Sequence, residues 1–274
     1  MSEVTMKVDF EKKDDRSIWE KLFDDAMDHA EVNSITPAMI KRRGMIARYI
    51  VDHYEEYNKR REEMNIAIVT CTTPNREWLY NLTNPSKISY SAKYGYDYIF
   101  DTDKYYDRSM KPGWNKIRFI YDNLLKYDYV VWIDDDAGFI REDRDVILDA
   151  IKEMDGRSIF ICKDMNGLNS GVMIFKSGEF SKKFLNDIWD HRELYRNDHH
   201  GHPGVMEQPA IIDLCNIFTD DICIGDGRIY NAYDSVYTIS KPNQRNSDSF
   251  ILHIAAGSSW KEAHRDLIRR LFTK

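Results

Sequence analysis

From Asn65 onward the chain alternates short apolar, β-rich runs with longer stretches whose apolar positions recur at helical spacing. Ile66-Ala67-Ile68-Val69-Thr70-Cys71 is apolar on both alternating sets of positions, which fits a strand buried on both faces. Thr72-Thr73-Pro74-Asn75 then reads as a loop. The same reasoning predicts strands over 96–100, 128–133, 158–162, 171–176 and 250–254. Helices are predicted through 86–93 and over 114–126, 144–154, 178–196 and 207–215, with a last amphipathic one from Ser258. Strands alternating with helices imply an α/β domain with a mostly parallel sheet covered on both sides. Ligands of such sheets bind where the strands end at their carboxyl side.

The first 63 residues differ in texture. They are highly charged, and their apolar residues fall at helical spacing: Trp19, Leu22, Phe23 and Met27 behind Ser17, then Met39, Ile40, Ile46, Ile50 and Tyr54 behind Thr36-Pro37. The expected organisation is a helical extension over 1–63 and one α/β domain over 64–274. The extension could pack on that domain or serve self-association into a homo-oligomer.

At 274 residues the chain is long enough for a sizeable core. Its net charge of -7 argues against a nucleic-acid partner, which needs a basic surface. An anionic substrate is still compatible with that charge if a metal ion accompanies it. No signal-like segment and no apolar run of about 18 residues is seen, so neither secretion nor a membrane span is marked. The expectation is a soluble, cytoplasmic protein, or a lumenal one if an upstream anchor was removed. Cys71, Cys162, Cys215 and Cys223 are scattered and expected as reduced thiols.

The chemistry concentrates where Val130-Val131-Trp132-Ile133 runs into Asp134-Asp135-Asp136. Three adjacent carboxylates at the rim of a core repel one another unless a cation is near. In an extended segment residues i and i+2 point the same way, so Asp134 and Asp136 can share a ligand while Asp135 faces elsewhere. Such a pair suits Mn²⁺ or Mg²⁺, and the chemistry implied is departure of a phosphate or diphosphate. D-x-D occurs both in haloacid-dehalogenase phosphatases and in nucleotide-sugar glycosyltransferases. The phosphatase motif follows the first strand of its fold, whereas two strand candidates precede this one, and its Thr/Val position holds Gly138.

Further motifs follow in order. Trp114 and Lys116 precede Trp132 to Ala137. Gly167-Leu168-Asn169-Ser170-Gly171, then Glu207-Gln208, then Phe250 to Gly257 come after it. This ordered set resembles the GT-A-fold galactosyl/mannosyl transferase family, which includes fungal α-mannosyl- and α-galactosyltransferases and plant xyloglucan xylosyltransferases. The resemblance covers about residues 65 to 260. It implies a GT-A fold, a Rossmann-like and mostly parallel sheet flanked by helices. It also implies transfer of a hexose or pentose from a UDP- or GDP-sugar to a hydroxyl of a glycan or glycoconjugate, with retention at the anomeric carbon.

By the same resemblance Asp134, Asp136 and His253 match the metal ligands, and Gln208 matches the polar residue under the reactive face of the sugar. Glu207 is placed to contact sugar or acceptor, and Asn169, with Ser170 and Gly171 in a turn before a strand, lies beside the donor sugar. Thr70, Cys71, Thr72 and Asp135 fall in the donor site, where Lys116 and Lys261 approach the diphosphate and Gly257 lies in the closing loop. Arg118 is a second candidate cation. Residues 197–204, with three His, suggest a lid or acceptor loop, and Tyr105, Tyr106, Tyr230 and Tyr233 are candidate acceptor platforms. Two other readings are carried: an aspartyl phosphatase, and a non-catalytic glycan-binding module.

Overall fold

The structure, a computed structural model, describes residues 4–6, 64–102, 109, 111–164, 167–195, 206–236, 243–255 and 257–272. The helices expected within 1–63, the three-His segment and Tyr105 and Tyr106 lie outside those residues. One piece of the expected extension is described. Val4–Met6 (β1) is an edge strand of the main sheet, antiparallel to Asp97–Asp101 (β3).

Among the described residues seven strands form that sheet, in the order β1-β3-β2-β4-β7-β6-β8. Ile66–Cys71 (β2), β3, Tyr129–Ile133 (β4), Ile159–Asp164 (β6) and Ile222–Gly225 (β8) run one way, and Gly167–Lys176 (β7) runs against its neighbours β4 and β6. Alternate residues of each strand face opposite sides. Ala67, Val69, Val130, Trp132, Met173 and Phe175 pack under Asn115–Leu124 (α2), Glu179–Asp190 (α4) and Gln208–Ile217 (α5). Glu77–Tyr94 (α1) packs against β3, and Val146–Glu153 (α3) against β8. The helix α1 stops at Gly95, whose φ of 69° puts it in the left-handed region that a side chain resists.

A second, two-stranded sheet pairs Ala137–Phe139 (β5) with Ile251–His253 (β9). Gly227–Tyr230 (α6) follows β8, and Ser258–Ala263 (α7) and Arg265–Phe272 (α8) follow β9, so the single tail helix expected from the sequence is broken at His264. Leu79, Leu252, Ile254 and Ile268 form a small separate core there. Among the described residues no helix is long and apolar enough to cross a membrane.

Asn169 to Gly171 form no turn. They lie inside β7, where Asn169 sits opposite Cys162 and Gly167 opposite Asp164. The β6–β7 register shifts at Ile161/Cys162, so Ser170 to Val172 are released from β6, while Val172 pairs with Ile133 of β4. Bulges of this kind re-aim side chains beside functional sites. The turn-forming composition of this run lost to pairing on both of its flanks.

Buried Asp145 caps α3 by accepting from the Leu148 N–H (3.2 Å). It also accepts the hydroxyls of Tyr90 (2.9 Å) and Tyr96 (2.6 Å). Asp145→Ala removes a cap and two charge-assisted bonds together, so a loss of about 3 kcal/mol is expected. That corresponds to a fall in melting temperature of roughly 6–12 °C in thermal unfolding followed by circular dichroism. A change under about 2 °C would mean that the tyrosines find other partners.

Candidate active site

Strand β4 is buried from Val130 to Ile133, and its apolar alternation ends as it leaves the sheet. The three aspartates form the turn into β5, closed by Ala137 N–H donating to the Asp134 carbonyl (3.0 Å). Helix α1 secures this turn from behind. The Thr83 hydroxyl donates to the Asp135 carbonyl (2.7 Å) and Lys87 Nζ to the Asp134 carbonyl (2.8 Å). Burial pushes the Lys87 ammonium down to about 8, against the opposing pull of the three aspartates.

The three carboxylates do not share one set of partners. Asp135 lies outside the group formed by Asp134, Asp136 and His253, and takes a bidentate guanidinium from Arg76, with both contacts at 2.6 Å, and the Thr72 hydroxyl. Asp134 and Asp136 each turn one oxygen to cations. Asp134 Oδ1 accepts from Trp132 Nε1 (2.6 Å) and Lys116 Nζ (2.9 Å). Asp136 Oδ2 accepts from Arg76 Nη2 (3.2 Å) and pairs with Lys261. Burial opposes ionisation of Asp136, but Lys261 and His253 beside it hold its carboxyl well below the usual range.

The remaining oxygens face the buried ring of His253, with Asp136 Oδ1 3.2 Å and Asp134 Oδ2 3.7 Å from Nε2. Asp136 Oδ1 is buried and accepts no hydrogen bond among the described residues. Asp134, Asp136 and His253 each offer one ligand atom, and these atoms all lie within 4.8 Å of one another. A hydrogen-bond orphan among two carboxylate oxygens and an imidazole nitrogen is a donor set that fits a divalent cation.

The ring of His253 reaches this point because it passes over Gly171. A Cβ there would lie 2.2 Å from His253 Cε1. Gly171 also accepts the Asp134 N–H on its carbonyl (2.8 Å), so β7 fixes both ends of the ligand set.

Lys116 enters from the start of α2 and is buried. It meets Glu207 Oε1 (2.7 Å), Asp134 Oδ1 and the Ser170 carbonyl (3.0 Å). Burial works against its charge, but Asp134 and Glu207 outweigh that and raise its pKa. Ser170 donates its hydroxyl to Glu207 (3.0 Å) and its N–H to Gln208 Oε1 (3.0 Å). The Gln208 NH₂ makes no hydrogen bond among the described residues.

The other residues expected from the sequence are held as follows. Thr70 donates to the Ile133 carbonyl (2.7 Å), and half-buried Cys71 ends β2. Gly257 stands in the loop before α7 with no atom within 4 Å of a Cβ built there. Lys261 is buried against Asp136 and is no surface residue. Arg118 lies apart from the acidic turn, donating to Asn186 (3.0 Å) beside Tyr121 and Trp189. Tyr230 and Tyr233 are not exposed platforms, being 1% and 4% exposed. Their hydroxyls donate to Glu153 (2.6 Å) and Asp164 (2.8 Å). Arg76, Lys87 and Asn231 went unread in the sequence. None lies in an apolar pattern or a motif, and only the fold brings them here.

No protein-family model and no curated protein matches the chain. Among solved structures it is similar to a glycosyltransferase involved in the glycosylation of the major capsid of PBCV-1. The TM-score is 0.56 at 12% identity, over 74% of this chain and 99% of that one. It is also similar to the galactosyltransferase LgtC (TM-score 0.48, 12% identity, 76% and 96% covered). A third is mouse xyloside xylosyltransferase 1 (TM-score 0.44, 10% identity, 70% and 98% covered). At such identity the first of these shows a shared fold, and the sheet described above is the GT-A arrangement that the motifs implied.

Proposed function

We propose that this chain is a metal-dependent glycosyltransferase that moves a sugar from a UDP- or GDP-sugar to a hydroxyl of a glycan or glycoconjugate. The observation that carries the reading is the convergence of Asp134 Oδ2, Asp136 Oδ1 and His253 Nε2 at the carboxyl end of β4. The opposite oxygens of the two carboxylates are already held by cationic side chains. When bound, a divalent cation supplies positive charge to the departing diphosphate.

Charge supports the same reading. Arg76, Lys87, Lys116 and Lys261 surround Asp134, Asp135, Asp136 and Glu207, so the protein groups roughly cancel. A divalent cation tips the site positive, which suits a nucleoside diphosphate on an otherwise acidic protein. Lys261 and Arg76 flank Asp136 and are the cations nearest to any phosphate held at that carboxylate. Ser170 holds the Gln208 carbonyl, leaving the NH₂ end as the donor for the sugar face. Glu207, held by Lys116 and Ser170, has a second oxygen that is buried without a partner among the described residues, which suits it to a sugar hydroxyl.

In the retaining reaction the anomeric C–O(phosphate) bond breaks and the acceptor oxygen bonds to that carbon. The acceptor proton passes to the leaving phosphate oxygen, so no strong enzymic base is required.

Thermal stability with UDP, GDP and their sugars, each with and without Mn²⁺, tests this. A ligand at about 100 times its Kd stabilises by roughly 2.7 kcal/mol, a rise of several degrees. The expected result is a shift that needs both metal and one nucleotide. No shift with any pair would refute the reading.

A further inference from the structure

A chain of buried amides runs from β6 to the ring of His253. Asn169 Nδ2 donates to Asp164 Oδ2 (3.0 Å) and lies 3.0 Å from the Tyr233 hydroxyl. Asn169 Oδ1 accepts from the Gly171 N–H (2.9 Å) and from Asn231 Nδ2 (2.9 Å). Asn231 Oδ1 lies 2.8 Å from His253 Nδ1, and Asn231 is wholly buried.

The direction of this chain follows from its ends. An amide's oxygen and nitrogen are told apart by their partners, and a ring tautomer by the same logic. A backbone N–H only donates, so the Asn169 atom facing Gly171 is its oxygen. A carboxylate only accepts, so the atom facing Asp164 is its nitrogen. Asn231 therefore points NH₂ at Asn169 and oxygen at His253. That oxygen can only accept, so His253 Nδ1 carries the proton. Nε2 is then left with its lone pair towards Asp134 and Asp136.

Against this stands a competing demand. Two carboxylate oxygens 3.2 and 3.7 Å from Nε2 would draw the single proton of a neutral imidazole to that side. A ring protonated at Nε2 cannot be a ligand there. We infer that Asn231 is a positioning residue: its Oδ1 holds the His253 proton on Nδ1 and keeps Nε2 a metal ligand. Asn169 acts through it, because all of its hydrogen-bonding capacity is spent within the chain. The donor sugar is then read by Gln208 and Glu207 rather than by the Asn169 amide. The inference deepens the proposed function and rests on it for the metal, but the ring proton is a property of the protein alone.

The test has two readouts. Ring ¹⁵N shifts of His253 at alkaline pH, assigned by their loss in His253→Gln, locate the proton in the metal-free protein. Mn²⁺ affinity is read from the electron paramagnetic resonance signal of the free ion. Wild type is expected to carry the proton on Nδ1, and Asn231→Ala to carry it on Nε2 and bind Mn²⁺ about 10–100-fold more weakly. Asn231→Asp keeps an acceptor for Nδ1 while losing the donor to Asn169. It should melt lower than wild type yet keep the Nδ1 proton and most of the affinity. A purely structural asparagine would give affinities that follow stability, with Asn231→Asp as poor as Asn231→Ala. Wild type protonated on Nε2, or an unmoved proton in Asn231→Ala, overturns the inference whatever the metal does. A wild type that binds no Mn²⁺ refutes the proposed function instead, and the ring proton still decides the role of Asn231.

Discussion

Asp136→Ala is expected to abolish Mn²⁺-dependent nucleotide binding, because it removes the more buried of the two carboxylate ligands. It also strands Lys261, Arg76 and His253 around a space that held their shared anion. Breaking a buried ion pair from one side costs about 3–5 kcal/mol. Isothermal titration with Mn²⁺ and nucleotide measures the first effect and denaturant unfolding the second. The stability term has a defined pH window. The Asp136 carboxyl titrates well below its ordinary value of 3.8, since Lys261 and His253 outweigh the effect of burial. The folded state therefore gains from its ionisation above pH ~4, and that gain is lost as pH falls through the lower, folded-state pKa. Wild type should lose stability in acid along this limb, and Asp136→Ala should show a flatter one. Retained Mn²⁺-dependent nucleotide binding in the variant would refute the metal site.

Gly171→Ala is the second large effect. The added methyl would sit 2.2 Å from His253 Cε1, 2.5 Å from Nδ1 and 2.9 Å from Asn169 Oδ1. The backbone does not demand glycine here; the neighbours do. Overpacking costs about 1–3 kcal/mol. The ring is the softest thing in the way, so it is expected to swing off Asp134 and Asp136 and take the metal affinity with it. Gly178→Ala, where no atom lies within 4 Å of the added carbon, is the matched control and should stay within about 0.5 kcal/mol of wild type. Mn²⁺ titration of the two variants separates the cases. Equal, wild-type affinity in both would show that the ring has room to yield.

Much of this is legible in the chain. Runs such as Ile66 to Cys71 and Val130 to Ile133 declare buried strands because both of their faces are apolar, and a triple carboxylate after the second marks the open end of the sheet. Val4–Met6 precedes the first helical spacing in the charged N-terminal stretch, and pairing with β3 makes it a strand. Ala137–Phe139 and Ile222–Gly225 escape reading because they are short, and edge pairing rather than periodicity makes them strands. Asn169 to Gly171 carry turn residues, and only the registers of β4 and β6 draw them into β7. Arg76 and Asn231 are ordinary polar residues until folding sets one against Asp135 and the other against His253. Tyr230 and Tyr233 look like surface rings in a tyrosine-rich chain, but the rings are buried and their hydroxyls meet the carboxylates of Glu153 and Asp164.

The small sheet of β5 and β9 has three residues in each strand, and Ala137 faces His253 across it. Asp136 and His253, far apart along the chain, both border that seam. An ion gripping both would act as a removable cross-link that closes a long loop, and fastening such a loop withdraws conformational freedom from the unfolded chain. The C-terminal strand and the helices after it would then be the region most protected by metal. Chelation would release that end first, before the central sheet lets go.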